Sequence, residues 1–425
     1  MKWFTSSFKL MFASMMALCL SLQAFGEDAT GRSGPDEAEV VKHLRVIWTN
    51  DPQTRAMVCW DTEEEGTDHR VYYDTESHGG VLENYRHSQV STETGPYHVH
   101  EKSKSKEPSL YYHHTQLKDL KPDTIYYFVF SSDGAISKEY HFKTAPAEDK
   151  PFKMFYGSDS QGNSRKSHHI YKLISKKFEE DDSILALAHG GDFVGTGDAP
   201  WQWEGMLKIY QLTTTSTGRV LPLMPAYGNH DMGPVFGQVM GFPGGKGNHY
   251  YATRLSSEVL WVALNTCGGH EGVGTGGAQQ EFLAAALAEA HDNRWKVAHY
   301  HDPVYPAVKR PSGGRQNWVP LFEKHNLTLA CEADGHVLKR TVPIRDGKHD
   351  PTGVVYIGEG GLDNDQRWPK KDRWYIQSPG MTDRVQHFHL LSFTREALTV
   401  EVFDVDGKVI DTHVIAARPS ESRDQ

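Results

Sequence analysis

Cysteine is scarce in this chain, four among 425 residues. Cys19 lies in an N-terminal leader-like stretch, which leaves Cys59, Cys267 and Cys331. An odd set gives no disulfide framework and permits at most one internal bridge; buried free thiols are the simpler reading. Long basic runs are also missing, and the net charge is −10. That argues against a general nucleic-acid-binding surface. Beyond the N-terminus no segment is long and apolar enough to span a bilayer. What is present is the composition of a folded protein: 38% hydrophobic, 24% charged and 11% aromatic residues, enough apolar material for real cores. The length suits roughly two to three domains of ordinary size. The 24 histidines and 55 acidic residues offer ample metal-ligand chemistry, although composition does not say whether it is used.

The first residues read as an export signal. Lys2 and Lys9 flank the start of an almost unbroken apolar run, Leu10 to Leu22, and Ala24-Phe25-Gly26 then offers small residues at a cleavage point. A membrane anchor is the alternative, but the run is short for a span of ~20 residues. Leu18, before Cys19, is too large for lipoprotein processing. The expectation is a signal peptide over 1–26 and a linker over 27–40. The product is then secreted, extracellular or periplasmic, with no transmembrane span once the signal is removed.

Residues 41–147 read as a small β-sandwich. Short β-rich runs recur between turn signals, at Leu44–Thr49, Ala56–Asp61, Arg70–Asp74, Tyr111–Leu117, Thr124–Ser131 and Lys138–Thr144. Leu120-Lys-Pro122-Asp-Thr124-Ile-Tyr126 sets a proline turn before a strand whose tyrosine can tie the corner back to the backbone. This pattern resembles a fibronectin type III domain. Ala147 to Pro151 marks the expected boundary.

The next segment alternates strand and helix patterns, which implies a layered α/β domain. Expected strands are Phe152–Tyr156, Ile184–Ala188, Leu221–Tyr227, Val259–Leu264, Lys296–His299 and Leu327–Ala330, with further β-rich runs at 353–358, 386–393 and 397–403. Two prolines weaken Leu221–Tyr227. Expected helices are Ser167–Glu180 and Gln279–His291. Five of the apolar runs end in polar residues, commonly beside glycine: Gly157-Ser-Asp159-Ser-Gln161, His189-Gly-Gly-Asp192, Gly228-Asn229-His230-Asp231, Tyr300-His301-Asp302-Pro303 and Cys331-Glu-Ala-Asp334-Gly-His336. In α/β sheets the functional crevice lies outside the carboxyl ends of the strands, so these side chains are expected to converge. Oxygen and imidazole donors without thiolate suit Mn, Mg, Fe or Zn rather than a structural cysteine–zinc site.

This ordered set resembles the calcineurin-like metallophosphoesterases. With the sandwich in front, residues 41–415 resemble the purple acid phosphatase branch. The resemblance implies an N-terminal all-β, fibronectin III-like sandwich followed by an α/β four-layer (α-β-β-α) metallophosphoesterase domain over 148–415, with 416–425 as a tail. It implies two divalent metal ions, Mn, Fe, Mg or Zn. Asp159 and His336 match ligands of one metal site, Asp192 the carboxylate bridging both, and Asn229 and His301 ligands of the other. His230 matches the catalytic imidazole, and Asp231 is expected to orient its ring. The implied reaction is hydrolysis of a small phosphorylated substrate by water activated between the metals. The alternatives are a phosphodiesterase using the same site and a catalytically degenerate binding protein.

Several positions depart from the family pattern. Gly195 stands where the purple enzymes carry a tyrosine ligand, so a colourless protein is expected. Gln161 stands two residues after Asp159, and its amide oxygen is expected to ligate the first metal site. Asp334 replaces the first histidine of the last motif and adds hard anionic oxygen, which favours Mn, Mg or Fe over Zn. The family's histidine pair after the fourth motif is absent, leaving Lys309, Arg310 or Arg315 as possible phosphate contacts. His299 competes with His301, since the two share a strand face. Trp201 and Trp203 are either core residues or the wall of a substrate cleft.

Overall fold

The computed structural model describes residues 41–99, 108–162, 165–242, 247–267 and 274–418. The expected signal peptide and linker lie outside the described residues, as do positions 419–425 of the expected tail. Among the described residues no helix is long and apolar enough to cross a membrane.

Two sheets carry the α/β part, one of ten strands and one of seven. Their central strands are buried on both faces, and the alternation of side chains shows what covers each. In Phe152–Gly157, Met154 and Tyr156 face the space between the sheets, where they join Trp261, Val297 and Ile357. Phe155, between them, faces outward onto Ile170, Ile174 and Phe178 of the helix Arg165–Glu180. On the second sheet, Trp261 and Ala263 of Val259–Ala263 point inward. Leu260 and Val262 pack outward with Leu283 and Leu287 of the helix Gly277–Glu289. Helices therefore cover both outer faces, which makes four layers.

The ten-stranded sheet does not stop at the expected boundary near residue 150. Ile47, at the end of Val41–Ile47, pairs in parallel with Leu223 of the strand Leu223–Pro225. Val41–Ile47 thereby continues the sheet into Ala56–Thr62, Tyr111–Leu117 and Glu93–Pro96. A five-stranded sheet, including His69–Asp74 and Ile125–Ser132, faces these as the second layer of the sandwich. The predicted corner forms: the Lys121 backbone N–H donates to the Tyr126 hydroxyl at 2.8 Å. Arg45 is fully buried and donates to the carbonyl of Val239 at 2.6 Å. That contact ties the sandwich to the helix Pro234–Met240, which follows the Gly228–Asp231 motif.

Some elements differ from the sequence expectation. Leu221–Tyr227 shrinks to Leu223–Pro225 because proline donates nothing to a ladder; the Pro222 carbonyl still accepts from Leu187 N–H at 2.9 Å. The helices Pro200–Tyr210, Pro234–Met240 and Val319–Lys324 were not expected. Each places proline in its first turn, where the missing N–H costs nothing. The strand Val409–Ala416 extends into the expected tail, and Arg418 donates to the carbonyls of Asn326 and Thr352. Cys59, Cys267 and Cys331 are free thiols.

The sandwich strand Tyr111–Leu117 makes stability sensitive to acid. Burial pushes the pKa values of His113 and His114 down to about 3, helped by His69 and Arg45 respectively. Their ordinary value is 6.5. Between these values the unfolded chain binds more protons than the folded one. The contribution is therefore complete above pH 6.5 and declines as pH falls, by up to ~1.4 kcal/mol per pH unit for each ring. Thermal melts should show Tm falling steadily below that pH, and His113→Gln/His114→Gln should flatten the fall. An unchanged slope in the double variant would refute the assignment.

Candidate metal centre

Each candidate ligand follows directly on a strand end. Asp159 follows Phe152–Gly157, Asp192 follows Ile184–His189, His301 follows Trp295–His299, and Asp334 and His336 follow Leu329–Glu332. Asp159, Asp192, Asp334 and His336 have φ of 62°, 56°, 66° and 55°, in the left-handed region that side chains other than glycine seldom occupy. Glycine makes room at two points. Gly191 adopts φ 92°, and a Cβ at Gly228 would collide with the backbone nitrogen and Oδ1 of Asp192.

These side chains converge. One ligand atom each from Asp159, Asp192 and His301 lies within 4.8 Å of the others, and the same holds for His301, Asp302 and Asp334. His301 is the hub. Its Nδ1 faces the Gly190 carbonyl at 2.9 Å, so Nδ1 carries the hydrogen. Its Nε2 then faces three oxygens: Asn229 Oδ1 at 3.1 Å, Asp192 Oδ2 at 3.2 Å and Asp334 Oδ1 at 3.6 Å. A neutral imidazole would aim its lone pair at all three, an arrangement relieved only by a proton or another cation. Burial opposes charge on His301, yet Asp192, Asp334 and Asp159 hold its pKa well above the usual histidine range. Burial likewise opposes charge on Asp192, and His301 and the His230 N–H hold it below the usual carboxylate range.

On the other side, His336 Nε2 stands 3.2 Å from Asp159 Oδ1. That oxygen is buried and accepts no hydrogen bond, while Oδ2 accepts from the Asp334 N–H at 3.1 Å. Orphaned buried carboxylate oxygen, an imidazole nitrogen aimed at carboxylates and an amide oxygen form a donor set that fits divalent cations. Asp159, Asp192, Asn229, His301, Asp334 and His336 would hold them. His299 takes no part: its Nδ1 accepts from Trp261 Nε1 at 2.8 Å, and its Nε2 donates to the Met224 carbonyl at 3.2 Å.

Two expected roles take a different form. Gln161 lies at the cluster, but its Nε2 donates to Asp192 Oδ2 at 3.0 Å and its Oε1 accepts from Asn364 at 2.7 Å. Its oxygen faces away from Asp192, so Gln161 braces the carboxylate rather than offering a lone pair. Asp231 does not orient the His230 ring. Its fully buried carboxylate accepts backbone N–H groups from Asp192, Phe193, Val194 and Gly228, at 2.7 to 3.3 Å. It clamps the two motif loops together. The His230 ring is held instead by the Gly195 carbonyl, 2.9 Å from Nδ1, which leaves Nε2, on an exposed side chain, without a hydrogen-bond partner among the described residues.

Other residues at the site were not foreseen. Asp302 joins the second cluster; it stood in the quoted motif beside His301 without a role. Asn364 bridges Gln161, the Asp159 carbonyl and His336 Nε2, and no motif signalled it. Of the three basic candidates, Lys309 reaches the cluster and donates to Asp334 Oδ1. Arg315 instead lies over the Tyr305 ring at 4.3 Å. Trp203 is buried and Trp201 is exposed. His249 sits among the rings of Tyr227, Phe236 and Phe242.

Comparison with known proteins agrees with this architecture. Residues 41–144 match the family model of the purple acid phosphatase N-terminal domain, and residues 158–338 match that of the calcineurin-like phosphoesterases. The chain is 25% identical over 344 residues to purple acid phosphatase 18 of Arabidopsis thaliana, covering 75% of this chain and 69% of that one. It is also 25% identical over 362 residues to an uncharacterized protein of Mycobacterium tuberculosis, covering 74% of this chain. It spans 64% of that relative's length. In fold it resembles purple acid phosphatase PPD1 from yellow lupin (Lupinus luteus), with a TM-score of 0.74 at 18% identity over 91% of this chain and 78% of that one. It also resembles PhoD, with a TM-score of 0.62 at 10% identity over 91% and 94% of the two chains. Residues 158–338 thus form a calcineurin-like phosphoesterase domain, preceded over residues 41–144 by a purple acid phosphatase N-terminal domain.

Proposed function

We propose that this chain is an exported, metal-dependent phosphoesterase that hydrolyses phosphomonoesters. The observation that carries this reading is the convergence of six oxygen and nitrogen donors, from Asp159, Asp192, Asn229, His301, Asp334 and His336, with Asp159 Oδ1 buried and without a hydrogen-bond partner among the described residues. Divalent metal ions bound there supply Lewis acidity toward phosphoryl oxygens and lower the pKa of water toward ~7.

The protein groups divide the remaining work. Asp192 groups with both Asp159 and His301, one ligand atom of each within 4.8 Å of the others, with its Oδ2 facing His301 and its Oδ1 accepting the His230 N–H at 2.8 Å. With Nδ1 tied to Gly195, His230 presents Nε2 to an incoming ester. From there it can donate to a phosphoryl oxygen or protonate the departing alkoxide. Lys309 takes the place of the family's missing histidine pair. With Asp334 holding a metal, the Lys309 ammonium that now donates to it would be available to a phosphoryl oxygen.

Metal analysis together with hydrolysis of a chromogenic monoester and a chromogenic diester tests the reading. Bound metal with monoester turnover is expected; bound metal with no turnover of any ester would indicate a binding protein instead. Lys309→Ala is expected to raise KM for a monoester roughly tenfold, the order of one charge-assisted hydrogen bond, while metal content holds. Steady-state kinetics checks this, and an unchanged KM would remove Lys309 from the site.

A further inference from the structure

A cavity of about 360 Å³, a size typical of small-molecule pockets, adjoins the metal cluster. Phe193, Val194, Trp201, Met206 and Ile209 form its apolar wall beside the polar Ser160, Tyr171 and Gln202, and Gln161 and Gly195 join it to the cluster. Gln161 is the residue whose amide nitrogen donates to Asp192 Oδ2, and Gly195 is the residue whose carbonyl holds the His230 ring. The cavity thus shares its wall with both the candidate bridging carboxylate and the candidate acid. None of its described lining residues carries a charge.

Two features keep the space open and useful. At Gly195, a Cβ would meet only Gln202 Oε1, at 3.3 Å, so the volume beyond this glycine is unfilled. Trp201 is 69% exposed, whereas Trp203, on the same helix, is buried with its Nε1 donating to the Gly197 carbonyl at 2.8 Å. An indole left in water at the edge of an apolar cavity supplies a flat face for stacking.

We propose that this cavity is the subsite for the organic group of the phosphate ester, and that it takes a neutral, apolar group, an aryl or branched alkyl alcohol. The proposal rests on the phosphoesterase reading above. A phosphoryl group held at the cluster directs its ester substituent along the Gln161–Gly195 wall. A second phosphate would lose hydration there without charged partners among the described lining residues, whereas an apolar group against Phe193, Val194, Trp201, Met206 and Ile209 gains by leaving water.

Benzyl and methyl phosphate, whose leaving alkoxides are of similar basicity, separate binding from intrinsic reactivity. The metal-loaded full chain is expected to show kcat/KM at least about tenfold higher for the benzyl ester. Trp201→Ala, and Gly195→Leu filling the cavity, should each lower that ratio by roughly tenfold. Calorimetric titration with benzylphosphonate and methylphosphonate should give the same preference, lost in both variants. Hydrolysis of both esters with equal kcat/KM would overturn the subsite and leave the phosphoesterase reading standing. Hydrolysis of neither would overturn that reading instead; the phosphonate titration then still reports on the cavity, and equal affinities would overturn the subsite as well.

Discussion

Asp192→Asn is expected to lower phosphomonoester turnover by roughly 10⁴-fold or more, because a water acidified toward ~7 returns toward its bulk pKa of ~15.7. The carboxylate is buried and sits between His301 Nε2 at 3.2 Å and the Gln161 amide at 3.0 Å. An amide in its place removes the charge that a second cation needs nearby. Metal analysis should show metal lost along with activity. His230→Ala should behave differently. The ring contacts the protein through the Gly195 carbonyl and does not belong to the cluster. Its loss should cost about 10²- to 10⁴-fold in kcat, the usual scale for a general acid, with metal content retained. Equal loss of metal in both variants would contradict the division of roles, and an Asp192→Asn protein with full metal and rate would remove Asp192 from the centre.

The largest stability effect is expected at Lys339, which lies behind the site rather than in it. Lys339, Glu332 and Glu359 are each fully buried. The Lys339 ammonium donates to Glu332, to Glu359 Oε1 at 2.7 Å and to the Tyr305 carbonyl at 2.9 Å. Glu332 Oε1 also accepts from the Tyr300 hydroxyl at 2.9 Å and Val304 N–H at 2.6 Å, and Glu359 Oε1 accepts from Ala307 N–H at 2.8 Å. The triad therefore fastens the 300–307 loop, which carries His301, to the strand Leu338–Arg340 that follows His336. Even with Lys339 in place, burial pushes Glu359 up to about 7. Lys339→Met would leave two carboxylates in the interior without a counter-charge, at a cost of ~3–5 kcal/mol. That corresponds to a Tm lower by on the order of 5 °C. Glu332→Gln/Lys339→Met/Glu359→Gln should recover most of the loss, since removing the whole set leaves no buried charge unpaired. A single variant that melts with the parent would show that water reaches the triad.

Much of the site was legible because ligands at strand ends are local features. An apolar run, a glycine and an acid or imidazole lie within a few residues of one another, as in Ile184–His189 followed by Gly190, Gly191 and Asp192. Orientation within a turn was not legible in the same way. Asp231 is next to His230 in sequence, yet its carboxylate turns to four backbone N–H groups, of Gly228 in its own loop and of Asp192, Phe193 and Val194 in the other. Gln161 sits at the predicted place, but Asn364, roughly two hundred positions later, takes its oxygen. Nothing near Gln161 announces that partner.

By itself the sequence determined the all-β-then-α/β order, the tyrosine corner at Tyr126, the strands of the second part and the strand ends at which the clustered Asp, Asn and His side chains stand. Those features follow from the spacing of apolar residues and from turn chemistry, which act over a few residues. Tertiary structure alone decided that Val41–Ile47 extends the ten-stranded sheet, that Lys339 neutralises Glu332 and Glu359, and that Gly195 opens a cavity toward Trp201. Each of these depends on groups far apart in the chain. Their pairing is selected by the cost of burying charge, backbone polar groups or empty space, and that cost exists only once the layers have closed.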